Sequence, residues 1–333
     1  MNILVTGSNG FVGSALMWRL QNEGHSVIGI DISPHCDDKP HPMTRLGDIR
    51  NLDDLQATLA ECNRIYNSDI ELVIHCAAAK HDFGISEKEY YSHNELGTKV
   101  LLEFMQQQRI NKLVYFSTVS VFGHPGQRTD EDGGFAPDHP YGASKLAGEL
   151  LCTDWQRQDN SRELVVLRPT VIYGAYNYAN MYKLIDTMHR RPYIMVGKGD
   201  YIKSIVSRAN TVDMTVFALS QLRHGAQYFN CVDKPYIRLC ELMQIIARNP
   251  AFKIPQIIVP VWLAVLIGKI FDIPAKLFKL DLPINSDRMK KLATATDFAS
   301  ERIREAGYVQ KHTIEEEIEV MTIWYLAQKS KGH

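Results

Sequence analysis

A doubly wound parallel α/β sheet with a smaller, mostly helical second part is the fold that this chain predicts. Three observations lead there. Short β-branched runs alternate with helical patterns through the first half. A glycine-rich turn, "TGSNGFVG" at Thr6–Gly13, follows the first of those runs. After Arg168 the alternation gives way to short strands, helices and repeated prolines.

In chain order, Ile3–Thr6 reads as a strand, Phe11–Glu23 as a helix ended by Gly24, and Ser26–Ile30 as a second strand. Leu52–Glu61 reads as a helix opening after Asn51, a good cap. Leu72–His75 is a strand, Glu87–Gln108 carries one long helical pattern, and Lys112–Ser117 is a strand. Tyr141–Gln158 is a helix and Leu164–Arg168 a strand. Near-continuous apolar strands separated by helices of this length imply a parallel sheet covered on both faces. Beyond Arg168, strands are expected at Ile194–Val196 and Gln227–Cys231. Helices are expected at Met181–His189, Thr211–Arg223, Arg238–Ala247 and Thr313–Ala327, before a loose Lys329–His333 tail. The expected division is 1–168 plus about 205–232 for the first domain, and 169–204 plus 233–328 for the second.

The totals exclude several classes. With 45% apolar and 23% charged residues, the 333-residue chain has a globular balance and enough length for a sizeable core. A formal net charge of −1 gives no basic excess for nucleic acid, so any anion recognition must be local. Cys36, Cys62, Cys76, Cys152, Cys231 and Cys240 are scattered, without metal-ligand spacing, and read as free thiols. No cationic segment followed by a long apolar one opens the chain, so a cytoplasmic location is expected. Ile254–Phe271 is strongly apolar, but Pro255, Pro260, Gly268 and Lys269 interrupt it, short of the ~20 residues of a spanning helix. A buried helix is the expectation; Trp262 and the flanking lysines leave a membrane-surface segment as the alternative.

The glycine turn predicts a dinucleotide site. Gly7, Gly10 and Gly13 permit a tight turn, close approach of the backbone to a pyrophosphate, and close helix–strand packing, with the helix N-terminus facing the phosphates. Asp31 ends the second strand at the spacing that a ribose-diol ligand requires. A carboxylate there accepts from both ribose hydroxyls but repels a 2′-phosphate, and Ile32-Ser33-Pro34 offers no cation, so NAD is favoured over NADP. "GDI" at 47–49 would place Asp48 where a carboxylate accepts from an adenine amino group. "HCAAAK" at 75–80 ends the fourth strand with small residues that let a dinucleotide lie across the sheet.

Tyr141 and Lys145, in "YGASK", stand four residues apart on one face of a helix. A fixed ammonium lowers the pKa of a nearby phenol, which otherwise titrates near ~10 and is a poor base at neutral pH.

Together these features resemble the extended short-chain dehydrogenase/reductase superfamily, in its NAD-dependent nucleotide-sugar epimerase/dehydratase branch, similar to UDP-glucose 4-epimerases. The resemblance rests on Thr6–Gly13, Asp31, Asp48, the "HCAA" turn, Asn94 in "NELGT", "FSTVSVFG" at Phe116–Gly123, "YGASK", and "RPTVIYG" at Arg168–Gly174. It implies a Rossmann-type domain that binds NAD through Gly7, Gly10, Phe11, Val12, Gly13, Asp31, Asp48, Ile49, Cys76, Ala77, Ala78, Lys80, Asn94, Ser117, Tyr141, Lys145 and Pro169. For Ser117, strand packing is the other reading. The resemblance also implies that Thr118 is the catalytic hydroxyl that holds the sugar oxygen. Tyr141 would take that oxygen's proton, and Lys145 would bridge the nicotinamide ribose and lower the Tyr141 pKa.

Family 4,6-dehydratases carry an Asp-Glu pair after their Thr, and decarboxylating members a Glu two residues on. Here Val119 and Ser120 occupy those places, which leaves reversible redox at one sugar carbon, usually C4. A 4-epimerase is the expectation, and a one-way 4-keto reductase or 4-dehydrogenase the alternative. A hydroxysteroid-type dehydrogenase and a non-catalytic NAD-binding sensor or assembly protein are more distant readings.

His81, beside Asp82, could reach the sugar and move a second proton, although a solvated loop position is the simpler reading. Asn180 resembles the family asparagine that contacts the nucleotide diphosphate. Lys203 and Arg288 are the expected phosphate partners, with Lys203 standing where the family often has Arg. Homodimer pairing through the Glu87–Gln108 and Tyr141–Gln158 helices is implied by the resemblance; no metal site and no membrane span are expected.

Overall fold

The computed structural model describes residues 1–36, 38–80, 84–190, 194–255, 257–266, 269 and 295–331. They form two units: Met1–Ile172 with Val206–Val232 and Phe298–His312, and Tyr173–Ile205 with Asp233–Asp297 and Thr313–His333.

The first unit is built on strands β1 (Asn2–Thr6), β2 (Ser26–Asp31), β3 (Thr44–Leu46), β4 (Leu72–His75), β5 (Lys112–Phe116), β6 (Glu163–Pro169) and, later in the chain, Gly225–Cys231. All are parallel, in the order Gly225–Cys231, β6, β5, β4, β1, β2, β3. β1 lies centrally, with Val5 opposite Gly29 of β2 and Ile74 of β4. The strand order reverses between β1 and β4, the switch point outside which ligands bind in open α/β sheets.

Both faces are covered, because strands buried on two sides need two apolar partners. One core joins Ile3, Val5, Val114 and Val165 to helix α1 (Gly13–Asn22) and to Val212, Met214 and Ala218 of the helix Arg208–Ser220. The other joins Leu4, Val73, Leu113 and Val166 to α2 (Leu52–Tyr66), α4 (Gly97–Gln107) and α5 (Pro140–Arg157).

Several expectations need correction. The Glu87–Gln108 helix is divided into α3 (Glu87–Tyr91), a π-helical turn at Ser92–Leu96, and α4, a break that lets the side chain of Asn94 bond outside the helix. Residues 298–312 belong to the first unit, because Ile303 and Tyr308 enter its core and Arg304 donates to the Val232 carbonyl (3.0 Å). The helix expected from Thr211 starts at Arg208, where Ser207 accepts from the Asn210 N–H (3.0 Å). Finally, Lys329–Lys331 are helical rather than a loose tail; Lys329 pairs with Asp186 at 2.9 Å.

The second unit gathers Tyr173, Met181, Ile185, Leu242, Ile318 and Tyr325, among others, into its own core. Its elements include the helices Asn180–His189, Leu239–Ile246 and Ile314–Lys331 and the parallel strand pair Ile194–Val196 and Ile257–Val259. The described part of the 254–271 segment is not a buried helix. It forms that edge strand and a helical turn at 261–266, and it exposes most of its large apolar side chains. No helix among the described residues is long and apolar enough to cross a membrane.

Candidate active site

The glycine turn is shaped by contacts that exclude side chains. Gly7 has φ +69°, and a Cβ there would lie 2.7 Å from the Ala77 nitrogen. A Cβ on Gly13 would overlap the Gly7 carbonyl oxygen. Strand β1, helix α1 and the "HCAAAK" turn therefore converge at the switch point. Helix α1 has no side-chain cap and no acidic residue in its first turn, so its positive end is left for an anion.

At the end of β2, each Asp31 oxygen accepts one backbone N–H, from Asn9 (2.9 Å) and Ser33 (2.8 Å). These bonds aim the carboxylate and leave it acceptor capacity for a ribose diol. The narrow cradle and the aimed carboxylate fit an NAD dinucleotide. Asp48 stands just after β3. Its carboxylate is bound by the Arg50 guanidinium (2.6 Å), which holds its pKa below the usual range, and Arg50 also donates to the Ser92 hydroxyl (2.9 Å). Ile49 is buried beneath Gly97.

Behind the turn runs a directional hydrogen-bond chain. Burial and the Lys145 ammonium push the His75 pKa well below its ordinary value, so the ring is neutral. The Thr98 hydroxyl donates to the Asn94 carbonyl (2.6 Å) and therefore accepts from His75 Nε2 (3.1 Å), which leaves Nδ1 to accept from Thr6 (2.7 Å). Thr6 Oγ1 in turn accepts the Ala77 N–H (3.2 Å). The buried Asn94 side chain accepts from the Ala79 N–H (2.8 Å) and donates to the Ser144 hydroxyl (2.9 Å). Thus Asn94, expected as a cofactor contact, clamps the "HCAAAK" turn to the helix that carries Tyr141 and Lys145.

Thr118 stands at the end of β5, nearly buried, and its Oγ1 accepts the Ser120 N–H (3.2 Å), capping a 3₁₀ turn at Val119–Phe122. A Cβ on Gly142 would sit 2.6 Å from the Ser120 carbonyl, so the first turn of α5 packs directly on that 3₁₀ turn. This contact brings Thr118 and Tyr141 onto adjoining turns. Lys145 is 2% exposed, its ammonium 4.3 Å from the Tyr115 ring, and burial lowers its pKa to about 8. Close approach of α5 is possible because Gly148 faces the Tyr115 hydroxyl and the Asn94 carbonyl.

Sequence reasoning missed three groups here. Glu149 is 1% and Arg168 2% exposed; they form a two-bond ion pair (2.5 and 3.2 Å), and Glu149 also accepts from the Ser117 hydroxyl (2.5 Å). Ser117 thus has its hydroxyl turned inward. The four-residue step from Lys145 to Glu149 was the available signal. His139 caps α5 by accepting the Gly142 N–H at Nδ1 (3.1 Å) and stacks on Tyr141 (6.0 Å between centroids). That bond places the ring proton on Nε2, which faces Asp138 at 3.7 Å. Arg208 lies over the Phe11 ring (4.9 Å) and bonds Asp38 (2.8 Å) and Ser14 (3.1 Å), beside the glycine turn.

Cys76 is half-buried with its thiol pKa pushed up by burial, which suits packing rather than nucleophilic chemistry. All six cysteines are unpaired thiols, and no potential metal-binding group of His, Cys, Asp and Glu occurs among the described residues. Lys80 is exposed, with its ammonium 5.9 Å from the Phe11 ring. In the second unit, Asn180 is exposed at the start of its helix, and Lys203 is partly buried, which lowers its pKa. His81 and Arg288 lie outside the described residues.

Comparison with known proteins agrees with this geometry. An N-acetyl-α-D-glucosaminyl-diphospho-ditrans,octacis-undecaprenol 4-epimerase of Escherichia coli O157:H7 is 28% identical over 317 residues, 94% of this chain and 92% of that one. A UDP-glucose 4-epimerase of Vibrio cholerae is 26% identical over 81% of this chain and 82% of its own. The fold is shared with a UDP-glucuronic acid 4-epimerase from Bacillus cereus solved with NAD (TM-score 0.74, 22% identity, 98% and 99% coverage). A profile described as the NAD dependent epimerase/dehydratase family matches residues 3–231. With its glycine turn, aimed Asp31 and buried Lys145, the chain belongs to the NAD-dependent epimerase/dehydratase family of enzymes.

Proposed function

We propose that the protein is a 4-epimerase acting on a sugar carried by a diphosphate, the nucleotide sugar being the simplest such substrate, in the making of surface-polysaccharide precursors. The observation that carries this reading is the composition of the turn after Thr118. Val119, Val121 and Phe122 are buried and apolar, and Ser120 is the remaining member, so no residue of the turn can act as acid or base near neutral pH. Elimination of water or loss of carboxylate needs such groups besides Tyr141; reversible oxidation at C4 needs only the one proton-transfer group, which Tyr141 supplies. The relatives named for 4-epimerisation carry their sugar on uridine diphosphate or on undecaprenyl diphosphate, and the sugar diphosphate is common to both.

In this reading NAD, when bound, supplies the hydride acceptor and donor. Tyr141 removes the C4 hydroxyl proton and later returns it to the other configuration, while Thr118 holds the same oxygen in line. The Lys145 ammonium stabilises the Tyr141 phenolate. Two copies pair through α4 and α5; Leu150 of α5 and Leu96 of the π turn are exposed apolar side chains.

The test is a panel of glycosyl diphosphates incubated with the NAD-loaded protein and followed by NMR at C4. Interconversion of the C4 epimers without net change in cofactor absorbance is expected. Stoichiometric reduction or oxidation of the cofactor would replace the reading with a one-way 4-keto reductase or dehydrogenase.

Lys145 also predicts a pH dependence. Its charge is needed for the proton step and is lost as pH rises through about 8, so kcat/KM should fall above that pH. The folded value lies below the ordinary 10.5, so burying the charge costs stability up to about pH 8 and this cost fades as pH rises toward 10.5. A pH–rate profile that stays flat to pH 10 would contradict this assignment.

A further inference from the structure

We propose that the exposed apolar edge of the second unit, Ile254–Leu266, docks on the surface of an anionic lipid bilayer, and that the carrier of the sugar diphosphate is a polyprenyl lipid resident in that bilayer. The identity of the chemistry at C4 rests on the reading above; the docking does not.

The segment is seated firmly. Phe252 is buried in the core of the unit, the Lys253 N–H donates to the Met188 carbonyl (3.0 Å), the Gly197 N–H donates to the Val259 carbonyl (2.9 Å), and Ala264 is buried. From this seat Ile254, Ile257, Ile258, Val261, Trp262 and Leu266 all reach solvent. Successive residues of a strand point to opposite faces, yet Ile257 (52%) and Ile258 (49%) are both exposed, so the edge strand presents apolar surface on both sides. Trp262, 69% exposed, and Leu266 lie one helical turn apart on the same face. Scattered apolar side chains on a surface are ordinary, but six within one segment form a patch of the kind that marks an interaction site.

Charge selects the occupant. Between Glu241 and Asp272 the sequence holds no acid but carries Arg248, Lys253 and Lys269. Arg248 lies 3.8 Å from Glu315, while Lys253 and Lys269 are exposed at either end of the apolar segment. An amphipathic Trp among branched aliphatics, flanked by lysines, matches the headgroup region of an anionic membrane: the indole sits at the interface, the aliphatics enter the acyl boundary, and the lysines meet lipid phosphates. A protein docked this way lies on the membrane rather than across it, in keeping with the absence of a spanning helix among the described residues. An enzyme held at that surface meets diphosphates whose carrier is itself a lipid, which a nucleotide sugar in solution does not require.

The full-length protein should be sedimented with phosphatidylcholine vesicles, with and without phosphatidylglycerol. Binding to the phosphatidylglycerol vesicles is expected, weakened by salt. It should fall about tenfold or more in Ile258→Ser/Trp262→Ser and in Lys253→Glu/Lys269→Glu. Circular dichroism and the thermal unfolding midpoint should be unchanged in both variants, which shows that they are folded. Absence of vesicle binding, or equal binding by both variants, overturns the docking. So does self-association in solution that Trp262→Ser abolishes, since the face would then pair copies of the chain. Turnover is then compared for a prenyl-diphospho-sugar in vesicles and a uridine diphosphate sugar in buffer. Preference for the former supports the lipid carrier. Turnover of the latter alone overturns it and leaves the 4-epimerase reading standing. Vesicle binding without epimerisation of either substrate removes the 4-epimerase reading and leaves the docking in place.

Discussion

Tyr141→Phe is expected to lower turnover by about 10²- to 10⁴-fold, the range for loss of a positioned proton-transfer group, with little change in NAD affinity. Tyr141 opens α5, whose first turn packs on the Thr118 turn through the Gly142–Ser120 contact, and whose next turn buries Lys145. Removing the phenolic oxygen alters none of the glycine turn, Asp31 or Asn94, which shape the dinucleotide site. Measurement of kcat beside the NAD dissociation constant separates the two effects. A variant within threefold of wild type in kcat would show that the proton passes elsewhere, with His139, stacked on Tyr141 and oriented by its cap bond, the first group to examine.

Glu149→Ala should destabilise the first unit by about 3–5 kcal/mol, the cost of leaving one member of a buried ion pair without its partner. Arg168 is sealed on several sides: Phe122, Phe135 and Tyr228 lie 5.0–5.2 Å from its guanidinium, and its remaining polar contact here is the Glu131 carbonyl (3.0 Å). Without Glu149 that cation has no paired counter-charge among the described residues to offset its lost hydration. Glu149→Leu combined with Arg168→Leu should recover much of the loss, because removing both charges removes the penalty. Chemical denaturation of the variants decides the matter; a loss below about 1 kcal/mol would mean that water reaches the pair. Turnover should fall as well, since Glu149 holds the Ser117 hydroxyl and Ser117 adjoins Thr118.

Much of this molecule is legible along the chain because the signals are local. A strand followed by three close glycines, an acid at the end of the next strand, and a Tyr and Lys one turn apart need no knowledge of distant residues. Short-range sterics and helical periodicity specify them, and they carried both the parallel sheet and the cofactor class. Where the reading failed, the deciding partner was far away in sequence. The Glu87–Gln108 pattern is helical throughout, yet the break at Ser92–Leu96 serves a bond from Asn94 to Ala79 and another to Ser144, fifty positions on. Glu149 resembles any polar helix residue until β6 brings Arg168 against it. Residues 298–312 join the first unit because Ile303 and Tyr308 find their apolar contacts there. The segment Ile254–Leu266 shows the limit most plainly. Its hydropathy announces burial, but hydropathy measures a side chain's preference for leaving water and not whether the fold supplies something to cover it. That was decided in three dimensions, where the segment lies at an edge with most of its large apolar side chains turned to solvent.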